Sequence, residues 1–263
     1  MAQTQAPQCV RAPWPWLLVF ILLWHGAIHP EETTMNSDQM KMDAARQRLV
    51  AEVEHEVLHT REYLGTDQLD PAVIKALGRV PRHRFVPFGQ WSQAYDNHPL
   101  PIGRGQTISQ PYIVAIMSHL LQLASGERVF ELGTGSGYQA AVLGAMGVKV
   151  YSIEIVPELA KRAAATLADL GFDQVKVRAG DGYRGWPEAA PFDGIIVTAA
   201  GPEAPPALVE QLAIGGRLVI PLGGEDEVQY LTVLTKQADG SLNQRPVLPV
   251  RFVPITGSMV PDS

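Results

Sequence analysis

Strand-like and helix-like segments alternate through the second half of the chain. From Arg128 onward, five short apolar runs are separated by longer segments with helical periodicity. The runs read RVFEL, VKVYSIE, QVKVRAG, DGIIVTA and GRLVIPL, and the helical segments include PELAKRAAATLADLG and APPALVEQLAIGG. This alternation predicts an α/β fold with a Rossmann-like, doubly wound, mostly parallel sheet. Two further strands are predicted after it, VQYLTVLTK and the Pro-flanked PVRFVPI, the last at or near an edge.

The chain divides into three predicted regions. Residues 1–34 form a leader with the apolar stretch WPWLLVFILLWHGAI, which is typical of a signal peptide or a short anchor; a misassigned start is left open, since several methionines follow. Residues 35–125 form an N-terminal helical and substrate-loop region, with helices predicted over 42–63, 71–77 and 112–124. Residues 126–263 form the core with its C-terminal strands.

Charge and cysteine content argue against several function classes. The formal net charge is -6 and no long Lys/Arg run occurs, so a nucleic-acid partner is not expected. The single cysteine, Cys9, lies in the leader, so the folded body can form neither a disulfide nor a cysteine zinc site. The histidines, among them His83 and His98, make no recognisable metal pattern. We therefore expect no metal, and a reducing compartment is favoured.

Three successive strand ends carry ligand-binding signals. Gly133, Gly135 and Gly137 lie in FELGTGSG, where the first core strand turns into its helix, and bare backbone there can approach a ligand closely. Glu154 ends the second strand, where a carboxylate can accept hydrogen bonds from ribose hydroxyls. Asp181, after the third strand, suits an adenine amino group or a simple turn. Together these features indicate an adenosine ligand.

The spacing of the glycines distinguishes between the possible adenosine-containing cofactors. The turn reads G-x-G-x-G, whereas the dinucleotide fingerprint is G-x-G-x-x-G/A, so a nicotinamide oxidoreductase is disfavoured. No P-loop lysine follows, which argues against ATP. The E-L-G-x-G-x-G pattern is similar to the first motif of S-adenosylmethionine-dependent methyltransferases.

The long irregular segment DNHPLPIGRGQTISQPYIVAIM, with RFVP upstream, closely resembles protein-L-isoaspartate O-methyltransferases. The similarity continues through FELGTGSGYQAAVL, GDGYRGWPEAAPFDGIIVTAA, LVEQLAIGGRLVIPLG and VRFVPITG, and covers roughly residues 44–257. This resemblance implies methyl transfer from S-adenosylmethionine to the free carboxylate of L-isoaspartyl residues in damaged proteins. The ester then collapses to a succinimide, whose hydrolysis restores some normal linkage. One departure is Arg104, which stands where a neutral residue is expected.

The resemblance also implies site residues. Ser109 matches the family's active-site serine, which orients the incoming carboxylate and is not a covalent nucleophile. By its position before Pro111, Ser109 also suits the N-cap of the next helix, and the two roles can coexist. Thr256 matches a position near substrate and cofactor, and Asp96 matches a family position that also suits a turn. The predicted cofactor-binding residues are Gln106, Thr107, Ile108, Gly133, Thr134, Gly135, Gly137, Glu154, Gly180 and Asp181.

Several alternatives stay open from the sequence. A small-molecule methyltransferase would share the core but would not require GQTISQPYIVA, and a non-catalytic S-adenosylmethionine-binding module would keep the pocket without turnover. The expected partners are damaged proteins bearing isoaspartyl residues, and the expected state is a monomer. A cytoplasmic location follows from the source of the cofactor, whereas the leader favours inner-membrane anchoring or export.

Overall fold

The computed structural model describes residues 1–3, 30–224 and 227–257. By its internal contacts the chain divides into two units, Met1–Gln39 and Met40–Ser263. The second unit holds the predicted core and, from residue 40 onward, the predicted N-terminal helical and substrate-loop region. The apolar stretch of the leader lies outside the described residues, and the predicted division at residue 126 stays a prediction. Within the described ranges, no helix is long and apolar enough to cross a membrane.

A seven-stranded sheet forms the centre of the second unit, and a separate two-stranded hairpin precedes it in the chain. The described strands are β1 (Leu100–Gly103), β2 (Gln106–Ile108), β3 (Arg128–Leu132), β4 (Lys149–Glu154), β5 (Val175–Ala179), β6 (Phe192–Val197), β7 (Leu212–Leu222), β8 (Gln229–Lys236) and β9 (Leu242–Val250). The order across the large sheet is β5-β4-β3-β6-β7-β8-β9. The five strands β3 to β7 run parallel to one another, and β8 and β9 are added antiparallel at one side of the sheet. The predicted Rossmann-like, mostly parallel sheet is confirmed.

The described α-helices are α1 (Pro30–Leu64), α2 (Pro71–Leu77), α3 (Pro111–Leu121), α4 (Tyr138–Ala145), α5 (Pro157–Asp169) and α6 (Pro206–Gln211). Five of them, α1, α2, α3, α5 and α6, begin with proline in the first turn, where its missing N–H costs no hydrogen bond. The predicted helix over 71–77 is confirmed at both ends. The helix predicted over 112–124 ends three residues earlier, because Gln122 adopts a left-handed conformation with φ 52°.

Two sequence predictions need correction at the end of the sheet. The helix predicted over 204–216 is too long, because α6 ends at Gln211 and Leu212 already pairs with Phe192 at the start of β7. The last strand lies earlier than PVRFVPI, since β9 ends at Val250 and is paired along its length with β8. Its predicted edge position is confirmed. The residues after β9 leave the sheet and cross back towards the strand ends.

The turn between β8 and β9 is tightly hydrogen-bonded. Asp239 Oδ1 accepts hydrogen bonds from the Ser241 backbone N–H at 3.0 Å and from the Ser241 hydroxyl at 2.6 Å. Gly240 follows with φ 85°, and its N–H donates to the Gln237 carbonyl at 2.9 Å. This arrangement fixes the direction of the hairpin and thus the register of the edge strand.

Both faces of the central strands are covered. Along β3, Val129 packs into a cluster that includes side chains of α1 to α5, whereas Phe130 packs into a second cluster that includes Leu208 of α6. A parallel sheet buried on both faces is the doubly wound arrangement. In chain order β4 lies on one side of β3 and β6 on the other, so the connections diverge at the carboxyl end of β3. That divergence is where ligands bind in such sheets.

Candidate active site

The hairpin formed by β1 and β2 lies within the irregular segment and is anchored by α5. Its two-residue loop, Arg104 and Gly105, has positive φ angles of 58° and 73°, as in the turns that fit tight hairpins. Arg104 forms a 2.7 Å ion pair with Glu158, and Arg162 donates to the Ile102 carbonyl at 2.6 Å. The unexpected arginine therefore pairs with a residue on α5.

The glycine turn between β3 and α4 is crowded from one side. Gly133 has φ 96°, and a Cβ there would overlap the Thr198 hydroxyl. That hydroxyl donates to the Gly133 carbonyl at 2.6 Å, while the Gly133 N–H donates to the Ile153 carbonyl at 2.8 Å. Backbone conformation and lack of space both require glycine at this position. The turn is thereby held by β4 and by the residue that follows β6.

Glu154 binds the turn from the end of β4. Its side chain is buried, with one carboxylate oxygen accepting the Gly135 N–H at 2.7 Å and the other accepting the Val156 N–H at 3.0 Å. Each oxygen of an ionised carboxylate can accept about two hydrogen bonds. Glu154 therefore keeps acceptor capacity on both oxygens for a pair of ligand hydroxyls.

A chain of polar side chains lies beneath the turn. The Thr134 and Ser152 hydroxyls are 2.5 Å apart, and the Ser152 hydroxyl donates to Glu131 Oε2 at 2.5 Å. Glu131 is fully buried, and its other oxygen, Oε1, has no hydrogen-bond partner within the described part of the chain. Burial raises the pKa of Glu131 to about 8, against the lowering effect of the Ser152 hydrogen bond. At neutral pH this carboxyl is therefore mostly protonated.

A cavity of about 660 Å³ opens along the carboxyl ends of β3 and β4, beside the residues that follow β6. This volume is within the range usual for ligand sites. Nine of the predicted site residues line it: Gln106, Thr107, Ile108, Ser109, Gly133, Thr134, Gly135, Glu154 and Thr256. The structure thus brings together the glycine turn, the Glu154 carboxylate at the end of β4, residues 107–109 (the TIS segment) and Thr256, which are far apart in sequence.

Three predicted cofactor-binding residues are not in this lining. Gly137 caps α4 with φ 88°, and a Cβ there would face Ala163 and Leu167 of α5. The Gly180 N–H donates to the Glu154 carbonyl at 2.9 Å, and Asp181 accepts the Tyr183 N–H at 3.0 Å. The lining instead includes the two residues that follow, Gly182 and Tyr183. Ligand contacts of Gly137, Gly180 and Asp181 stay predictions.

Ser109 lies between β2 and α3 and lines the cavity. The expectation that it caps α3 is wrong, because Pro111 takes the first helical position and Gln110 is the N-cap, without a side-chain capping bond. The Ser109 hydroxyl makes no hydrogen bond to the part of the chain that the structure describes. It is therefore free to donate to a ligand.

The residues after β9 form the opposite wall of the cavity. The Ala200 N–H donates to the Val253 carbonyl and the Ile255 N–H donates to the Ala200 carbonyl, both at 2.8 Å. The Gln229 amide holds the Phe252 backbone at both ends, accepting its N–H at 2.6 Å and donating to its carbonyl at 3.2 Å. These contacts fix an extended segment across the strand ends.

Sequence reasoning missed several polar residues of the lining, and Tyr183, Thr198 and Arg251 are three of them. Thr198 follows β6 directly, so its position at a fourth strand end was a usable signal. Arg251 is the one Lys or Arg among these described lining residues, and it is exposed. No sequence pattern marked it, because its place depends on the path taken after β9.

Two further residues, Asp96 and His119, lie outside the cavity lining. Asp96 Oδ2 lies 3.5 Å from His98 Nε2 in an exposed contact, so its position fits the turn interpretation. His119 accepts the Asp70 N–H on Nδ1 at 3.1 Å, and burial lowers its pKa. Both residues have structural partners away from the glycine turn.

Fold and cavity together define an S-adenosylmethionine-dependent methyltransferase. The family model described as Protein-L-isoaspartate(D-aspartate) O-methyltransferase matches residues 54–260. The chain belongs to this family.

Individual relatives agree with this assignment. Protein-L-isoaspartate O-methyltransferase 2 of Syntrophobacter fumaroxidans is 54% identical over 214 residues, which cover 81% of this chain and 87% of the relative. The corresponding protein of Gloeobacter violaceus is 57% identical over 185 residues, 70% of this chain and 90% of its own.

Two solved structures share the fold. A protein-L-isoaspartate O-methyltransferase superposes with a TM-score of 0.70 at 28% identity, over 81% of this chain and 66% of that chain. A putative one from Plasmodium falciparum, in complex with S-adenosyl-L-homocysteine, has a TM-score of 0.64 at 25% identity, over 78% of this chain and 97% of that chain. Sequence and structure alike thus show the family.

Proposed function

We propose that this cavity is where the chain transfers a methyl group from S-adenosylmethionine to the free carboxylate of L-isoaspartyl residues in damaged proteins. The observation that carries the proposal is the meeting of two segments in one cavity. The glycine turn with Glu154 forms one wall, and the TIS segment with Thr256 contributes to the other. A generic adenosine pocket requires only the first wall.

The residues present fit the cofactor. Glu154 keeps free acceptor capacity for the two ribose hydroxyls, and Gly133 and Gly135 place bare backbone in the cavity lining. In the same proposal Gln106, Thr107, Ile108 and Thr134 complete the cofactor pocket, and Gly180 with Asp181 borders the adenine. When bound, the cofactor supplies an electrophilic methyl group on a sulfonium sulfur.

The substrate carboxylate needs orientation more than activation. A carboxyl group of ordinary pKa is already ionised at neutral pH, so no strong general base is required. The Ser109 hydroxyl donates a hydrogen bond to the carboxylate, and Thr256 flanks it from the C-terminal wall. Arg251 adds a positive charge at the exposed rim for an anionic substrate. Positioning of this kind can supply about 7–11 kcal/mol of the barrier.

The proposed enzyme acts as a monomer in the cytoplasm. A flexible damaged segment needs an open cleft, and the irregular segments beside the cavity can border one. The cytoplasm is the expected source of S-adenosylmethionine. Sedimentation of the purified protein tests the monomer, and the N-terminal mass of the native protein tests whether the leader persists.

The reaction is tested by transfer of labelled methyl groups to matched peptides that contain isoaspartate or normal aspartate. We expect base-labile label on the isoaspartyl peptide alone. Ser109→Ala should lower kcat about 10²-fold, the order of loss for a misplaced reactant, with little change in cofactor affinity. Ser241→Ala, in the exposed turn after β8, is the matched control. The absence of label from both peptides, with S-adenosylhomocysteine still bound, would contradict the proposal.

A further inference from the structure

The start of α3 is capped by a residue from outside the helix. The N-cap residue Gln110 makes no side-chain capping bond, yet the first backbone N–H of the helix, on Tyr112, is not left unpaired. Asn97 Oδ1 accepts it at 3.0 Å from fifteen positions earlier in the chain. Because Pro111 has no N–H, Tyr112 is the first donor that the helix presents.

Asn97 is itself held by α1. Its amide nitrogen donates to Glu56 Oε2 at 2.5 Å, which orients the amide so that its oxygen faces the Tyr112 N–H. Burial raises the pKa of Glu56, and the neighbouring Asn97 and Gln110 side chains oppose that rise. Glu56 thus holds Asn97 directly and lies beside the N-cap residue Gln110.

These bonds close the base of the β1–β2 hairpin. Asn97 lies just before β1 and Tyr112 just after β2, and inside the base Leu100 pairs with Ile108. Ser109 lies between Ile108, which pairs with Leu100, and Gln110, whose carbonyl accepts the Val114 N–H at 3.1 Å, so its backbone is fixed on both sides. The hairpin loop is held independently at α5 by the Arg104–Glu158 ion pair.

We propose that Asn97, oriented by Glu56, is a positioning residue that fixes the start of α3 and thereby places the Ser109 hydroxyl in the cavity. Asn97 does not line the cavity and touches neither ligand; it acts through the backbone of residues 109–112. The inference rests on the proposed role of Ser109. It predicts that loss of this distant cap lowers turnover rather than cofactor binding.

The main variant is Asn97→Ala in the full chain, and the matched control is Tyr112→Phe. The control removes the 2.5 Å hydrogen bond between the Tyr112 and Thr60 hydroxyls, which also joins α3 to α1, but it leaves the cap in place. We expect Asn97→Ala to lower kcat for the isoaspartyl peptide about tenfold, within the loss that misplacement causes, while the cofactor KM changes less than about twofold. Tyr112→Phe should keep kcat near the wild-type value.

Exchanging the hydrogen-bond donor and acceptor between residues 97 and 56 tests whether kcat can be restored. Asn97→Asp still accepts the Tyr112 N–H but loses the donor to Glu56 and places two carboxylates together, so its kcat should fall. The double variant Asn97→Asp with Glu56→Gln restores one donor and one acceptor between the two side chains, and kcat should recover. Equal losses in Asn97→Ala and Tyr112→Phe, or no recovery in the double variant, would overturn the inference.

Amide hydrogen exchange separates this inference from the proposed function. In Asn97→Ala the Tyr112 amide should exchange faster than in wild type or Tyr112→Phe, whether or not the enzyme is active. An inactive wild type with the expected exchange pattern would contradict the methyl-transfer proposal alone. Unchanged exchange at Tyr112, with normal wild-type activity, would contradict the role of Asn97 alone.

Discussion

The two walls of the cavity are built in different ways. The strand-end wall, residues 132–135, 153–155 and 198–199, is held by bonds between neighbouring strand ends, such as the Gly135 N–H on Glu154. The loop wall, residues 106–110 and 249–256, is held by side chains from distant segments, Asn97 and Gln229 among them. A parallel sheet therefore fixes the glycine turn and Glu154 for the proposed cofactor, whereas long-range hydrogen bonds fix the wall that carries the proposed substrate residues Ser109 and Thr256.

The largest effect is expected from Gly133→Ala. Its φ of 96° and the overlap with the Thr198 hydroxyl force the turn to move, so cofactor affinity should fall by more than about 10²-fold. The matched control is Gly126→Ala, where φ is 91° but a Cβ meets nothing within 4 Å. The control should lose about 1 kcal/mol of stability and keep its affinity. Isothermal titration with S-adenosylhomocysteine measures the affinity of the two variants, and equal affinities would show that the turn tolerates crowding.

Glu154→Gln should have the next largest effect. Hydrogen bonds to a charged group contribute roughly 1.5–3 kcal/mol, so cofactor affinity should fall about 10- to 100-fold while the peptide KM changes little. Glu158→Gln, which breaks the exposed pair with Arg104, should leave cofactor affinity within about twofold of wild type. A peptide KM that changed as much as the cofactor affinity would show that the two walls are not independent.

Gln229→Ala tests the loop wall. The change frees both backbone groups of Phe252, so the segment that carries Arg251 and Thr256 loses its support. We expect the peptide KM to rise about three- to tenfold, the cost of roughly one unmade buried hydrogen bond, at constant cofactor affinity. Gln237→Ala, in the turn beyond β8, is the control. Steady-state kinetics at varied peptide and cofactor concentrations provide the measurement. A change in the cofactor KM alone would argue against the separate roles of the strand-end wall and the loop wall.

Glu131→Gln should change binding least and the pH dependence of stability most. Folded Glu131 keeps its proton up to a pKa of about 8, whereas the unfolded group releases it near 4.5. The folded state thus binds more protons between these values, and the free energy of unfolding falls as pH rises through that window. The variant lacks this contribution, so its stability relative to wild type should grow from pH 5 to pH 8. Urea unfolding at both pH values, with Glu210→Gln as control, checks the sign.

The strand-end wall was the part that local sequence pattern could predict. Alternating apolar runs gave the parallel sheet, and the signals at Gly133 and Glu154 fell at strand ends that the fold brings together. The loop wall could not be derived that way, because Ser109 and Thr256 meet only through the hairpin and the path after β9. Those residues were predicted from family resemblance. The errors at α6 and β9 occurred where pairing with a neighbouring strand outweighed local preference.

The β8–β9 turn bears on how this enzyme itself ages. Succinimide forms when a backbone nitrogen attacks the preceding aspartyl side chain, and a following glycine, as in Asp239–Gly240, offers least steric hindrance. In the folded turn the Gly240 N–H donates to the Gln237 carbonyl at 2.9 Å, and the hydrogen bonds from Ser241 lower the pKa of Asp239, which reduces the small fraction in the more electrophilic protonated form. The native hairpin therefore protects one of the enzyme's own sequences from the lesion its family repairs, and unfolding removes that protection.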